Sequence, residues 1–226
     1  MTQNPGLKVS PFEIKDCALI AIATGKKAQN LRELKEQLST IATDSLYYHF
    51  WGSLLRPRFD DPVYHNDFAI WAAQHLHDEI LAERLAVIDP KEFGTIDDLR
   101  FELIETIEER LDEVDYPLWS RRDRQFEFIR SQIVIFNTRQ KVAKPGEFKK
   151  LFPTLSSGSI FYHFVDARRR TPRGIDDFQN WIYNFGQKYH PLCEKISQID
   201  PYFSSLIMLR DQLHQTFLEF FKGGKS

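Results

Sequence analysis

The chain has 226 residues, of which 42% are hydrophobic and 27% charged, and its formal net charge at pH 7 is −2. This composition is typical of a soluble globular protein, and the small net charge gives no global attraction to nucleic acid or to an anionic membrane. The two cysteines indicate no disulfide framework. Residues 1–11 contain no apolar signal-peptide core, and the longest apolar run, Ala18–Ala23, is too short to cross a bilayer. We therefore expect a cytoplasmic protein.

Aromatic side chains make up 14% of the chain, which is a high share for a cytosolic protein. Each aromatic residue buries roughly 150–250 Å², so a small structural unit can build its core from few of them. We expect most of these residues in the core and in packing between parts of the chain, rather than on a surface that stacks bases or sugars.

Two stretches of the chain match each other. Residues 12–50 match residues 126–164 without a gap, at an offset of 114 (126 − 12). After the next loop the offset becomes 110 (177 − 67), and the match continues to the last predicted helix. We therefore predict a tandem duplication with pseudo-twofold symmetry. The predicted parts are an N-terminal tail (1–11), repeat 1 (12–112), a linker (113–125), repeat 2 (126–222) and a C-terminal tail (223–226).

Each repeat opens with a segment typical of a β-strand. In repeat 2, Ile129–Asn137 is rich in β-branched and aromatic residues. Its counterpart, Lys15–Thr24, contains alanines that would also suit a short helix, but the second copy favours a strand. Because a lone strand leaves its backbone groups unpaired, we expect the strands of the two repeats to pair and to interlock the repeats in one domain.

Four or five helices are predicted after the strand in each repeat. The first begins after Asn30, which is a good N-cap and has Glu33 three residues later. In repeat 2 the same helix begins with Pro145, a residue favoured at the first helical position. We predict that the second helix begins at a capping serine, Ser45 in repeat 1 and Ser159 in repeat 2.

The later helices have equally local signals. The third is predicted to begin at Asn66 or Asp67, and Pro191 breaks the following helix in repeat 2, with a matching boundary near His77 in repeat 1. The last helix of repeat 1 covers about 95–112. The predicted fold class is therefore α+β and predominantly helical, a duplicated unit of one strand and four or five helices.

Three segments of repeat 1 carry a resemblance to a known family. They are the run ATGKKAQNLREL from Ala23 to Leu34, the motif YYHF at 47–50, and NDF at 66–68 followed by Trp71. Together they resemble an uncharacterised prokaryotic family of duplicated proteins, described as a domain of unknown function. The resemblance extends over almost the whole chain. It implies a bacterial or archaeal cytoplasmic protein and no particular activity.

The histidines of the two Tyr-His-Phe motifs are the first candidates for chemistry. His49 and His163, each preceded by a tyrosine (Tyr48, Tyr162), could face one another and bind a metal or act as acid and base. The alternative is that each histidine is buried, neutral and hydrogen-bonded within its own repeat. We favour this structural role, because residues that both copies keep are those that a shared fold needs. Further ligands at metal-binding spacing are missing, so we expect no metal.

Other patterns have structural explanations. A helix N-cap accounts for Asp67 and Asp177, each of which precedes a phenylalanine, without any catalysis. The run Thr24–Lys27 lacks the upstream glycine of a phosphate-binding loop, since position 20 is isoleucine. We therefore predict no catalytic residue and no cofactor.

Arginine-bearing loops after the second helix of each repeat are the strongest lead to a binding site. Arginine makes bidentate contacts with phosphate or carboxylate, and loops often carry function. The alternative, which we favour, is that these arginines form salt bridges with the neighbouring Asp60, Asp61, Asp176 and Asp177. The candidate arginines are Arg56, Arg58, Arg168, Arg169, Arg170 and Arg173.

The sequence does not reveal a specific function. We expect a non-catalytic cytosolic binding or regulatory module, with a protein partner or with self-association into a homo-oligomer through exposed aromatic residues. The alternative is an enzyme or a receptor for a phosphorylated metabolite, using the arginine loops of both repeats. Nucleic acid and membrane are not expected partners under either hypothesis.

Overall fold

A computed structural model of the chain describes residues 9–56, 63–115 and 118–223. Two strands, β1 (Phe12–Ala28) and β2 (Phe126–Val142), form a two-stranded sheet. Both strands were predicted, and each extends beyond its predicted bounds at both ends. The remaining regular structure is helical, which confirms the prediction of a predominantly helical α+β protein.

The described chain divides into two compact units. The continuous unit runs from Leu19 to Val134, and the two-segment unit combines the chain up to Ala18 with the chain from Ile135 onward. Each strand therefore contributes residues to both units. The helices between the two strands share a unit with the first half of β2, and the helices after β2 share a unit with the first half of β1.

The continuous unit begins its first helix as predicted. Asn30 Oδ1 accepts a hydrogen bond from the backbone N–H of Glu33 at 3.0 Å. The Glu33 carboxylate accepts from the N–H of Gln29 at 2.7 Å, one residue before the cap. The final helix begins with a capping box formed by Thr95 and Asp98. In chain order the helices are α1 (Leu31–Thr40), α2 (Thr43–Tyr47), a π-helical stretch (Tyr48–Gly52), α3 (Ser53–Leu55), α4 (Asp67–Trp71), a second π-helical stretch (Ala72–Leu76), α5 (Glu79–Ala86) and α6 (Ile96–Glu113).

The core of the continuous unit joins α4 to the first half of β2. Phe126 and Phe128 are buried, and the Phe126 ring stacks on Phe68 with centroids 4.9 Å apart. The indole N–H of Trp71 donates to the carbonyl of Arg124 at 2.9 Å. Stacked aromatic pairs add about 0.5–1.5 kcal/mol beyond the area they bury, so these contacts hold the strand against the helix.

The two-segment unit confirms two predicted proline effects. Pro145 begins its first helical turn, and Pro191 lies at the start of a new helix. In chain order the helical elements are a 3₁₀ turn (Pro145–Glu147), α7 (Phe148–Leu151), a 3₁₀ turn (Phe152–Thr154), α8 (Ser157–Ile160), a π-helical stretch (Phe161–Asp166), α9 (Ala167–Arg170), α10 (Asp177–Ile182), two 3₁₀ turns (Tyr183–Phe185 and Gln187–Tyr189), α11 (His190–Ser197) and α12 (Leu206–Gly223). Across all the described helices of the chain, none combines the length and apolar character needed to cross a membrane.

The core of the two-segment unit joins α10 to the first half of β1. Phe12 stacks on Phe178 with centroids 5.4 Å apart and makes edge contacts with Phe148 and Trp181. The indole N–H of Trp181 donates to the carbonyl of Ser10 at 2.7 Å. This unit therefore contains the same arrangement of strand phenylalanine, helix phenylalanine and helix tryptophan as the continuous unit.

The prediction that the second helix begins at Ser45 or Ser159 is wrong in both units. In the continuous unit the helix begins at Thr43, and the buried Ser45 hydroxyl donates to the carbonyl of Ile129 at 2.7 Å. In the two-segment unit Ser156 is the N-cap, and its Oγ accepts from the N–H of Ser159 at 2.9 Å. Several serines in these segments can cap a helix locally, and contact with the strand decides that Ser45 does not.

Helix α8 approaches β1 closely at Gly158. A Cβ atom at this position would overlap the backbone oxygen of Cys17 and the carboxylate of Asp16. The Cys17 thiol donates to the Gly158 carbonyl at 3.3 Å, and burial raises the pKa of this thiol to about 12. Cys17 is therefore a packed, protonated thiol, and glycine is required opposite it.

Candidate functional site

Each unit contains a buried histidine that is hydrogen-bonded to an aspartate and, through it, to an arginine. In the continuous unit we define the His49 cluster as His49, Asp67, Arg56 and Tyr48. Asp67 is the first residue of α4, and its N-cap is Asn66, whose Oδ1 accepts from a backbone N–H of the first turn at 2.8 Å. The prediction that Asp67 is the N-cap is therefore wrong. The one-residue difference frees its carboxylate to reach His49.

Both ring nitrogens of His49 form hydrogen bonds. Nε2 accepts from the backbone N–H of Ile129 at 3.1 Å, and Nδ1 lies 2.8 Å from Asp67 Oδ2. Because a backbone N–H can only donate, the ring proton lies on Nδ1 and is donated to Asp67. Burial lowers the pKa of His49, and the opposing effect of Asp67 is smaller. The buried ring is therefore neutral at pH 7, as predicted.

His49 also completes the hydrogen bonding of an edge strand. A two-stranded sheet leaves backbone groups without partners along its outer edges. The N–H of Ile129 donates to His49, and its carbonyl accepts from Ser45. Side chains of α2 and of the π-helical stretch that follows it therefore take the place of a third strand at this residue. Ile129 belongs to predicted repeat 2, so the prediction that His49 is hydrogen-bonded entirely within its own repeat is wrong.

Asp67 is the centre of the His49 cluster. Arg56 Nη2 lies 2.6 and 2.8 Å from its two carboxylate oxygens, and the Arg56 guanidinium carbon lies 5.3 Å from the centre of the Tyr48 ring. Burial alone would raise the pKa of Asp67, but His49 and Arg56 together outweigh burial and hold this pKa below its usual value. The cluster is thus an ionised carboxylate enclosed by its own donors.

The two-segment unit has a corresponding His163 cluster. Nε2 of His163 accepts from the N–H of Lys15 at 2.9 Å, and Nδ1 lies 2.8 Å from Asp177 Oδ2. Burial lowers the pKa of His163, with Asp177 opposing. Arg170 Nη2 lies 3.1 Å from the same Asp177 oxygen, and its guanidinium carbon is 3.9 Å from the centre of the Tyr162 ring. Lys15 lies in predicted repeat 1, so the prediction that His163 is hydrogen-bonded entirely within its own repeat is also wrong.

Asp166 extends the His163 cluster. This aspartate is buried, at 2% exposure, and accepts from Arg169 Nε at 2.6 Å and from Arg170 Nε at 2.8 Å. The equivalent position in the continuous unit (166 − 114) is Gly52, which packs against the Tyr48 ring. Asp166 is not among the site residues predicted from the sequence. The sequence contains one sign of its role: where the first copy has Gly52, Leu54 and Leu55, the second has Asp166 together with two additional arginines, Arg168 and Arg169.

Arg168 lies near a second buried aspartate, Asp176. Asp176 is the N-cap of α10, and Asp176 Oδ1 accepts from the N–H of Gln179 at 2.9 Å. The prediction that Asp177 caps this helix is therefore also wrong. Asp176 Oδ2 and Arg168 Nη2 lie 3.6 Å apart, and both are buried without a hydrogen-bond partner. Burial raises the pKa of Asp176 to about 7. In the continuous unit the equivalent cap is the neutral Asn66.

The candidate arginines therefore divide into three groups. Four form ion pairs with aspartates: Arg56, Arg168, Arg169 and Arg170. The pairs of Arg168 with Asp176 and of Arg170 with Asp177 are those that the favoured alternative predicts, whereas Arg56 pairs with Asp67 and Arg169 with Asp166. Asp60 and Asp61 lie outside the described residues. Arg173 is exposed and has no hydrogen bond or ion pair with the part of the chain that the structure describes. Arg58 lies outside the described residues.

The geometry of both clusters suits a structural role. A general base needs a free nitrogen within reach of a substrate proton, and each histidine uses both of its nitrogens inside its own compact unit. The aspartates and arginines hold the rings in one orientation. Within residues 9–56, 63–115 and 118–223, no three histidine, cysteine or acidic side chains form a group suited to a metal ion.

Comparison with known proteins gives a family without a characterised activity. The chain is similar to a solved structure described as "The structure of OrfY from Thermoproteus tenax", with 27% sequence identity and a TM-score of 0.79 over 94% of this chain and 96% of that chain. No curated protein matches the sequence. A family model described as "Family of unknown function (DUF5752)" matches residues 9–218. The chain therefore belongs to the DUF5752 family.

Proposed function

We propose that the protein is a non-catalytic cytosolic binding or regulatory module. The observation that carries this proposal is the closed hydrogen bonding of His49 and His163, whose ring nitrogens are all used inside the fold. A buried neutral histidine between an aspartate and a strand N–H orients the strand and leaves no nitrogen to move a proton. The buried polar residues with the strongest catalytic potential thus have structural explanations.

The alternative function, an enzyme or receptor that holds a phosphorylated metabolite at the arginine loops, has less support. An arginine that already contacts a carboxylate must lose that ion pair before it can bind phosphate. Arg170 would lose contacts with two aspartates, and Arg56 would leave Asp67 without its cation. The exposed Arg173 is the one described candidate that could bind an anion without such a cost.

Exposed apolar residues support a binding role in which the protein associates with a partner or with itself. In the continuous unit Phe101 is 66% and Trp119 is 59% exposed. In the two-segment unit the neighbouring residues Ile207 and Met208 of α12 are 57% and 50% exposed. Burial of large exposed apolar side chains in an interface with another protein molecule lowers the free energy. We propose a homo-oligomer, to be tested by sedimentation of the wild type against a Phe101→Glu, Met208→Glu variant, which should shift toward the monomer.

We also propose that the chain is a tandem duplication, with repeats 12–112 and 126–222 joined by the linker 113–125 and related by a pseudo-twofold axis. Equivalent contacts at the offset of 114 support this proposal. Lys27 Nζ lies 2.5 Å from Glu127, and the equivalent lysine, Lys141, lies 2.6 Å from Glu13.

The buried free thiols Cys17 and Cys193 fit a prokaryotic cytoplasm, where thiols stay reduced.

Activity assays test the non-catalytic proposal directly. Purified protein is incubated with panels of hydrolase, phosphatase and transferase substrates, next to a His49→Gln, His163→Gln variant. The expected result is no turnover above the blank for either protein. Turnover by the wild type that is absent in the variant would refute the proposal and would assign a catalytic role to the histidine clusters.

A further inference from the structure

A basic cleft lies in the two-segment unit, at the end of β2 and along the first helical turns that follow it. Its volume is about 400 Å³, within the range of roughly 300–1,000 Å³ that is usual for small-molecule sites. Lys141, Lys149 and Lys150 contribute its cationic side chains, Glu147 its acidic side chain, and the half-buried Leu151, with the buried Val142 and with Gly146, its apolar lining. None of the candidate arginines that the structure describes lines this cleft.

The charges in the cleft are not balanced within the fold. Lys141 is paired with Glu13, and the Glu147 carboxylate accepts from the N–H of Ala143 at 2.9 Å. Lys150 is exposed and makes no hydrogen bond or ion pair with residues that the structure describes. The ammonium of Lys149 lies over the Phe221 ring, 5.1 Å from its centre, and has no carboxylate partner in the described chain. Two ammonium groups are therefore available to an anion.

The two repeats differ at the residues that form this cleft. At the offset of 114, Gly146 corresponds to Arg32 and Lys150 corresponds to Glu36. Gly146 lines the cleft, so a long side chain at this position would enter it; a Cβ atom there would lie 3.4 Å from the edge of the Phe221 ring. The second repeat thus has no side chain where the first has arginine, and it has a cation where the first has a carboxylate. Both differences favour an anionic ligand in the two-segment unit.

We propose that this cleft binds a small molecule that carries phosphate groups, held by Lys149 and Lys150. A lysine ammonium is a compact point charge with rotatable donors, which suits the tetrahedral oxygens of phosphate without the planar geometry that arginine requires. The apolar surface beside the lysines accommodates the non-phosphate part of the ligand. This inference rests on the proposed binding role and gives it a site and a ligand class.

Calorimetric titration of the full-length protein with inorganic pyrophosphate tests the proposal. The wild type should bind saturably, and Lys150→Glu, which installs the charge of the first repeat, should weaken binding at least about tenfold. Gly146→Leu should weaken it to a similar extent by filling the cleft without changing the charge. Lys195→Glu is the matched control, because Lys195 is an exposed lysine of α11 in the same unit, and it should change the affinity less than about threefold.

Three outcomes would overturn the assignment. They are no saturable binding up to about 10 mM pyrophosphate, an equal loss of affinity in Lys195→Glu, and equally tight binding of citrate, which would show a general response to negative charge. Thermal melts of each variant establish that it is folded. These outcomes leave the non-catalytic proposal intact, whereas turnover in the substrate panels would refute that proposal without changing the pyrophosphate titration.

Discussion

Replacement of His49 by alanine should be among the most destabilising single changes in the continuous unit. The substitution removes the acceptor of the Ile129 N–H, and a buried polar group left without a partner costs about 1–3 kcal/mol. It also removes a ring that lies 4.7 Å from Phe126 and 5.4 Å from Phe68, measured between ring centres. We expect the free energy of unfolding to fall by about 3 kcal/mol, since the two losses share one site and do not simply add.

Urea unfolding followed by circular dichroism measures this loss. His49→Gln should lose less, because the glutamine oxygen can accept from the same strand N–H. The control is His214→Ala on α12, a half-buried histidine with no hydrogen bond to any described residue, which should change stability by less than about 0.5 kcal/mol. A loss below about 1 kcal/mol in His49→Ala, or one no larger than that of the control, would refute the structural role of this ring.

Burial of His49 also makes the stability of the protein depend on pH in one direction. Burial lowers the pKa of His49 in the folded protein below its ordinary value of 6.5, so the unfolded chain takes up a proton that the folded ring does not. Stability should therefore fall as the pH falls below 6.5. In His49→Gln this contribution is absent, so the stability difference between wild type and variant should shrink from pH 7.5 to pH 5. A difference that is constant over this interval would contradict a neutral buried ring.

Substitutions at Asp176, Gly158 and Arg170 test three other contacts of the two-segment unit. Burial raises the pKa of Asp176 from 3.8 to about 7, so this carboxyl lowers the stability of the folded protein as the pH rises from about 4 to 7. Relative to wild type, the free energy of unfolding of Asp176→Asn should therefore increase by up to about 1.4 kcal/mol per pH unit over this range. A difference in urea midpoints that does not change with pH would contradict this prediction. Gly158→Ala should lower the free energy of unfolding by about 1–3 kcal/mol through overlap with β1, whereas Gly94→Ala, whose Cβ would lie 3.6 Å from its nearest neighbour, should leave the melting temperature nearly unchanged. Arg170→Met should cost about 3 kcal/mol because it removes a cation from the buried Asp166 and from the partly exposed Asp177. Arg56→Met should cost about 1 kcal/mol or less, because Arg56 is half-exposed. Equal losses would show that the contact between Arg170 and Asp166 contributes nothing.

Local chemistry in the sequence was sufficient to predict the presence of both strands and the start of several helices. β-branched and aromatic residues predicted both strands, and Asn30 predicted the start of α1. The last helix of repeat 1 was predicted to begin at about residue 95, and α6 begins at Ile96. Pro191 predicted the break before α11. These signals act over one helical turn or a few strand residues, because a cap, a proline or a branched side chain restricts the backbone next to it.

Tertiary structure decided which of several locally equivalent residues takes each role. Ser45 could have capped a helix, but a strand carbonyl 84 residues away binds its hydroxyl. Asp67 could have been the N-cap, but the neighbouring Asn66 takes the cap and leaves Asp67 to bind His49. Both choices depend on partners distant in sequence, whose positions no local pattern specifies.

The candidate site shows the same division. The sequence by itself identified the histidines and the arginine loops as the residues to consider, and it favoured buried, neutral histidines and internal salt bridges. Only the folded structure shows that each histidine binds a strand residue of the other predicted repeat, Ile129 or Lys15. The physical reason is that the outer edge of a two-stranded sheet has unpaired backbone N–H groups. Which side chain accepts from each of them depends on how the helices pack against the strand, and not on the distance between the residues along the sequence.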